Sequence, residues 1–221
     1  MANSFQSEAG NPELALISEL AENIVYRLRG CDDVMVRKTI REVYREFCHE
    51  TKCLTADRII ELVPHQAEYQ VSAKFGGVVT EIRTVALNGT HLRNGIQYRV
   101  ENGVHPTIVL SPQYVFYPPE AHRLERLPEA TLMRIPPKLF VKAVEVPGME
   151  SEKAPRWFID RHGDAIVCGV LARLYSMQGR AWSDNAKASE ERIRYENAKS
   201  ETRMFKEVPA GGHFIDTSEV L

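Results

Sequence analysis

The sequence predicts an α+β protein: a four-helix bundle built from N- and C-terminal helical hairpins, with an inserted antiparallel β-rich module and an extended C-terminal tail. Three observations predict it. Apolar residues recur at three- and four-residue steps before about residue 50 and again beyond Pro155, the spacing of one helix face. Between those stretches the period falls to two and turn residues come at short intervals, as in strands joined by hairpins. After Phe205 no period remains.

The first helix is expected to start at Asn11-Pro12-Glu13, which supplies an N-cap, a proline at the first helical position and an acid in the first turn. Its stripe is Leu14, Ile17, Ala21, Ile24 and Leu28, and Gly30 ends it. Asp32 and Asp33 then favour the start of a second helix with the stripe Val36, Ile40, Val43 and Phe47 and with Arg37, Arg41 and Arg45 outside. The short connection predicts an antiparallel hairpin.

Strands are expected at Arg58 to Val63, Val79 to Val85, Tyr98 to Val100, Thr107 to Leu110 and Leu139 to Val146. Asn88-Gly89 and Asn102-Gly103 are hairpin signals, because both residues of such pairs tolerate positive φ. Prolines at 112, 118, 119, 136 and 137 make the segment from Ser111 to Pro137 one of loops and edge strands, with a strand at Thr131 to Ile135. Beyond Pro155, Trp157, Ile166, Val167, Val170, Leu171 and Leu174 give a wide apolar surface, and Ala165, Gly169 and Ala172 allow close helix packing. Gly179 closes that helix, and Ser183 or Asp184 caps a last one running to about Phe205. That helix is mostly polar, with a weak stripe of Ala186, Ile193, Tyr195 and Ala198 and a charged surface of Glu190, Glu191, Arg192, Arg194, Glu196 and Lys199.

The organisation read from these signals is a flexible leader (1–11), an N-terminal helical hairpin (12–53), the β-rich module (54–150), a C-terminal hairpin that packs with the first (151–206) and a docking tail (207–221). No stretch approaches the about 18 apolar residues of a membrane span, and the N-terminus lacks the basic and apolar regions of a signal peptide, so a soluble, non-secreted protein is expected. The four cysteines show no CxxC spacing and are read as reduced thiols. A net charge of −2, without a Lys/Arg run, argues against tight binding of DNA or RNA.

The search for chemistry returns little. Cys31, Cys48, His49 and Cys53 carry zinc-compatible donors, but their spacing fits no common zinc pattern, and a helix-face thiol beside a loop cysteine is the favoured reading. Asp160, His162 and Asp164 place two carboxylates on one helix face and the imidazole elsewhere, so Asp160 is read as complementing the helix dipole. Gly76-Gly77, Gly89 and Gly211-Gly212 form no phosphate-binding motif, and there is no GxSxG, HExxH or SxxK. Tyr114, Phe116 and Tyr117 could stack bases, but no Lys or Arg lies between Val100 and Ala121 to hold phosphates. A non-catalytic protein without metal or cofactor is expected.

The order of features resembles a known family. A helical hairpin is followed by RIIELVPHQAEYQV, a strand ending TEIRTVALNGTHL, then TIVLSP, LFVKAVEVPG and PRWFIDRHGDAIVCGVLARLYSMQGRAWSD, with a charged helix behind it. Over about residues 12 to 206 this is similar to the head-to-tail adaptor (connector) proteins of tailed bacteriophages. The Pro-rich segment 111–137 is longer than that pattern needs.

The resemblance implies a structural virion protein of the neck, assembled in the host cytoplasm. It implies a ring, usually twelvefold, that binds the portal on one side and further neck or tail proteins on the other, with the genome passing through its lumen without specific binding. The C-terminal extension commonly reaches the portal, so Phe205, Phe214, Ile215, Val220 and Leu221 are the expected partner-binding residues. The alternatives are another tail-completion or baseplate ring protein, an enzyme centred on Asp160, His162 and Asp164, and a nucleic-acid-binding module.

Overall fold

The change of period along the chain becomes a division into two units, each assembled from separated stretches. One unit takes the residues up to Ile17 together with Leu54–Asp160; the other takes Ser18–Cys53 and the chain from Arg161 onward. The computed structural model describes residues 13–103, 105–116 and 137–207, the side chains of 205–207 excepted. The strand expected at Thr131 to Ile135 and the leader therefore lie outside the described residues.

Among the described residues the sheet unit holds nine strands, all paired antiparallel, in three sheets. A four-stranded sheet runs in the order β2 (Thr55–Glu61), β8 (Lys138–Val146), β4 (Val78–Leu87), β5 (Thr90–His91), and a three-stranded sheet in the order β3 (Glu68–Gln70), β7 (Thr107–Leu110), β6 (Tyr98–Glu101). Alternation sorts the side chains of β8: Leu139, Val141 and Ala143 are buried, while Lys138, Phe140 and Lys142 face out. They join Val79, Val85, Tyr69, Tyr98, Ile108, Leu110 and Phe116 in one core to which both sheets contribute. At the β4–β5 hairpin, Asn88 and Gly89 take φ of 47° and 88°, so the two-residue loop matches the twist of its strands. Asn102-Gly103 does not act this way: neither is among the residues of positive φ, and the chain needs residues 102–106 to pass from β6 to β7.

A buried carboxylate fastens this unit. Glu145 on β8 is fully buried and accepts the backbone N–H groups of Lys74 (2.7 and 2.9 Å) and Phe75 (3.0 Å). The Arg58 guanidinium on β2 donates to it at 3.0 Å and to the carbonyl of Ser72 at 2.7 Å. Burial raises the Glu145 pKa, against the opposing pull of the Phe75 N–H and of Arg58. Next to this anchor, a Cβ on Gly77 would stand 1.9 Å from the Val146 carbonyl oxygen, so only glycine lets the segment lie against β8.

The expected four-helix bundle of two hairpins does not form. Among the described residues the chain is α+β with four helices and nine antiparallel strands in three sheets. Leu14–Leu16, expected as the first helical turn, is instead β1 and pairs with β9 (Lys153–Pro155). Bonds from Ile17 N–H to Glu152 (3.0 Å) and from Arg156 N–H to Glu13 (2.7 Å) extend that pairing at both ends. Strand pairing here outweighs the local helix signals of Pro12 and Glu13. What remains is a turn of 3-10 helix at Ile17–Leu20 and α1 (Ala21–Arg27), seven residues against the 19 of α2 (Asp33–Thr51), too short to be a matching arm of a hairpin. The other helices are α3 (Arg156–Tyr175) and α4 (Asn185–Glu207).

The helical unit follows its apolar stripes. Asp32 caps α2 by accepting the Val34 N–H (3.1 Å), and Val36, Ile40, Val43 and Phe47 are each fully buried. Ile24 and Leu28 are buried, as are Ile166, Val170, Leu171 and Leu174 of α3. A Cβ on Gly169 would meet Val43 Cγ1 at 2.7 Å and the Tyr195 ring at 2.9 Å, so this glycine sets how closely α2, α3 and α4 approach. Trp157, assigned from the sequence to the apolar surface of α3, is 40% exposed.

Replacing Glu145 by Ala removes the acceptor for two backbone N–H groups and leaves Arg58 facing a void. The expected loss is about 3 kcal/mol in urea denaturation of the full chain, and Glu145→Gln, which keeps one acceptor oxygen, loses less. Equal and small losses for both would show that the anchor contributes nothing.

Candidate assembly surface

The surface that the helical unit offers is set by how α4 docks. Its buried positions are Ala188, Glu191, Tyr195 and Lys199, one stripe at three- and four-residue spacing. The expected stripe of Ala186, Ile193, Tyr195 and Ala198 is therefore corrected. Ala186 and Ile193 are exposed, whereas Glu191 and Lys199, assigned to the charged outer surface, are inside.

Glu191 pairs with Arg27 of α1 at 3.5 Å and with Arg194 of its own helix at 3.7 Å, while Lys199 is held by α2. Glu42, Glu46 and Glu50 sit four residues apart and form a ladder along one side of that helix. Lys199 Nζ reaches Glu50 (3.0 Å), Glu46 (3.9 Å) and Glu196 of its own helix (2.6 Å), and it lies 4.6 Å from the centre of the Tyr195 ring. The Tyr195 hydroxyl donates to Glu46 at 3.3 Å. From α3, Arg173 pairs with Glu42 at 3.4 Å and closely with Glu46; from α4, Arg203 pairs with Glu50 at 2.9 Å. Burial alone would lower the Lys199 pKa, but its bonds to Glu196 and Glu50 hold it above the ordinary value. Burial, with Glu46 beside it, raises the Tyr195 pKa, so this hydroxyl stays protonated and acts as a donor.

With one face of α4 committed inward, the opposite face is free. Ile193 (62% exposed) and Met204 (64%) lie eleven residues apart, about three turns of helix, and so share that outward face. A second exposed apolar group sits at the other end of the unit's chain order: Tyr26 (82%), Val25 (39%) and Val34 (71%). Beside it runs an open groove of about 630 Å³ lined by Ser18, Glu22, Val25, Tyr26, Asp33 and Arg37, the last two ion-paired at 2.7 Å. Exposed apolar side chains thus occur at α1 and the start of α2 and again on α4.

The other candidates resolve as follows. Phe214, Ile215, Val220 and Leu221 lie outside the described residues; Phe205 continues α4, and its side chain is outside them too. Cys48 and Cys53 come together, each thiol shifting the pKa of the other, while Cys31 stands at the opposite end of α2 and His49 is exposed. Among the described residues no three His, Cys, Asp or Glu side chains are grouped to hold a metal ion. Asp160 is ion-paired with Arg156 at 3.1 Å, in the sheet unit. His162 is buried in the helical unit with its ring centre 5.3 Å from that of Phe47. Phe116 belongs to the core of the sheet unit and Tyr114 packs against it, so neither forms an open stacking platform. No described helix is long and apolar enough to cross a membrane.

Burial, and secondarily the charge of Arg161, lowers the His162 pKa to about 4, so the folded chain holds it neutral. The unfolded chain takes up a proton near pH 6.5. Stability is therefore constant above that value on this account and falls as pH drops toward 4, by about 2 kcal/mol between pH 7 and 4.5. Urea denaturation at the two pH values should show this loss in the native chain and not in His162→Gln; equal slopes would assign the acid sensitivity elsewhere.

No protein-family model matches this chain, and no curated protein matches it in sequence.

Proposed function

We propose that this chain is a structural head-to-tail adaptor of a tailed phage, whose copies close into a ring between the capsid portal and the tail. The observation that carries this reading is the set of exposed apolar side chains on the helical unit, Val25, Tyr26 and Val34 at α1 and the start of α2 and Ile193 and Met204 on α4. They are different from each other, so a contact between them on neighbouring copies is heterologous, and repeating it closes a ring when the rotation permits. The order of sequence features shared with adaptor proteins points the same way, and in that family the ring is usually twelvefold.

The remaining parts take roles within this scheme. The α2 ladder holds α4 in one register, so its outward residues are presented at fixed positions to the next subunit. A net charge of −2 without a Lys/Arg run provides few concentrated cations to displace counterions from DNA, which suits a lumen that lets the genome slide past. Phe205, Phe214, Ile215, Val220 and Leu221 would anchor the C-terminal segment to the portal, and the sheet unit would meet the next neck component.

Tyr26→Glu and Ile193→Glu test the ring directly. Both side chains are exposed, so each variant should keep its helix content and its stability within about 0.5 kcal/mol, yet neither should assemble when measured by native mass spectrometry with portal present. Mixing the two restores one good contact per pair, so heterodimers should form and rings should not. Rings from either variant alone would refute the assignment of these surfaces.

Deleting residues 208–221 addresses the second role. Ring assembly should persist and co-sedimentation with the portal should be lost; undiminished portal attachment would exclude the docking segment.

A further inference from the structure

The end of α2 brings two cysteines together. The helix stops at Thr51, Lys52 takes a left-handed conformation (φ 50°, ψ 31°), and its N–H returns to the Cys48 carbonyl at 2.8 Å. A left-handed residue at this place folds the following residue back over the last turn, where a side-chain contact with the turn below commonly forms. Both partners of that contact are cysteine here. Cys48 is fully buried and Cys53 half-buried, and their thiols lie close enough for each to shift the pKa of the other. Cys53 is also where the helical unit's first stretch ends, immediately before the chain enters the sheet unit at Leu54.

We propose that Cys48 and Cys53 form a thiol-disulfide exchange site, which closes to an intramolecular disulfide on reaction with a small-molecule disulfide and so fastens the exit of α2 covalently.

The division of labour follows from the two environments. Cys53 is the attacking group: the bond from the Cys48 thiol favours its thiolate, with a further bond from Thr51 and the positive charge of Arg161 acting the same way against burial. The other thiols are disfavoured. Burial raises Cys48, burial and then Asp32 raise Cys31, and burial with Glu191 pushes Cys168 up to about 11.

In the first step the Cys53 thiolate attacks one sulfur of the disulfide RSSR; its S–S bond breaks, RS⁻ leaves and a mixed disulfide remains on Cys53. In the second, Cys48 gives its proton to a departing thiolate and attacks Cys53 Sγ, which expels the second R group. The Cys48–Cys53 bond forms, two protein thiols are oxidised, and RSSR is reduced to two RSH.

The sequence supplies its own assay, because trypsin cleaves after Arg45, Lys52 and Arg58 and so separates the two cysteines. The full-length chain is treated with glutathione disulfide, its free thiols are alkylated, and it is digested without reduction. The proposal expects peptide 46–52 joined to peptide 53–58, the link disappearing on reduction, with Cys31 and Cys168 alkylated. Cys48→Ser should trap glutathione on Cys53, and Cys53→Ser should leave Cys48 unreacted while the chain is folded. A wild-type chain that keeps glutathione on Cys53 without closing, reacts first at Cys31 or Cys168, or does not react overturns the proposal. The wild-type peptide map decides the matter even where a variant fails to fold.

Discussion

The helical unit depends on the acidic ladder of α2. Glu42, Glu46 and Glu50 occupy the flank of a helix whose neighbouring stripe is fully apolar, and three cations from two other helices converge on them. Desolvating such charges costs nearly as much as their attraction returns, so the ladder adds little net stability. Its effect is on specificity. An apolar stripe tolerates sliding by a turn, whereas α4 slid by a turn would carry Lys199 and Arg203 either toward carboxylates that Arg173 already pairs or past the end of the ladder at Glu50. Tyr195 adds to this through its ring under Lys199 and its hydroxyl on Glu46. Gly169, which admits Val43 and the Tyr195 ring at close range, makes the packing possible.

The sheet unit reaches the same end by another route. Its apolar core is continuous across two sheets, but the segment 72–77 has no long apolar side chain in the fully buried class to hold it. Glu145 and Arg58 hold it instead, through bonds to backbone groups whose identity is independent of sequence. Both units thus combine a sequence-tolerant apolar core with a few polar residues that fix position.

This difference explains what could be read from the sequence. The α2 stripe, its Asp32 cap, the Asn88-Gly89 turn and the strands around Thr107 and Leu139 were legible, because each is written in a local spacing or a local φ requirement. Leu14–Leu16 was not, since its backbone groups are claimed by residues 153–155, far along the chain, and helix and strand signals in so short an apolar run are ambiguous. The inner face of α4 was misassigned for a related reason. Hydrophobic periodicity scores Ile193 as core and Lys199 as surface, and it cannot register that Lys199 has three carboxylates waiting for it. A spacing of Glu at 42, 46 and 50 was the available signal, and it becomes informative only when matched to Arg173, Lys199 and Arg203 on other helices. The meeting of Cys48 and Cys53 likewise needed the left-handed Lys52, which no residue type announces.

The discontinuity of both units carries a consequence for synthesis. β1 has to wait for residues 153–155, β2 for β8, and the α2 ladder for α3 and α4, so neither unit has its full set of partners while the first half of the chain is leaving the ribosome. Until then Val36, Ile40, Val43 and Phe47 have no α3 or α4 to cover them, which favours late, concerted folding and exposes the nascent chain to aggregation. Completion of the last helix is then the event that converts a sticky, half-made chain into one in which the α2 stripe is covered.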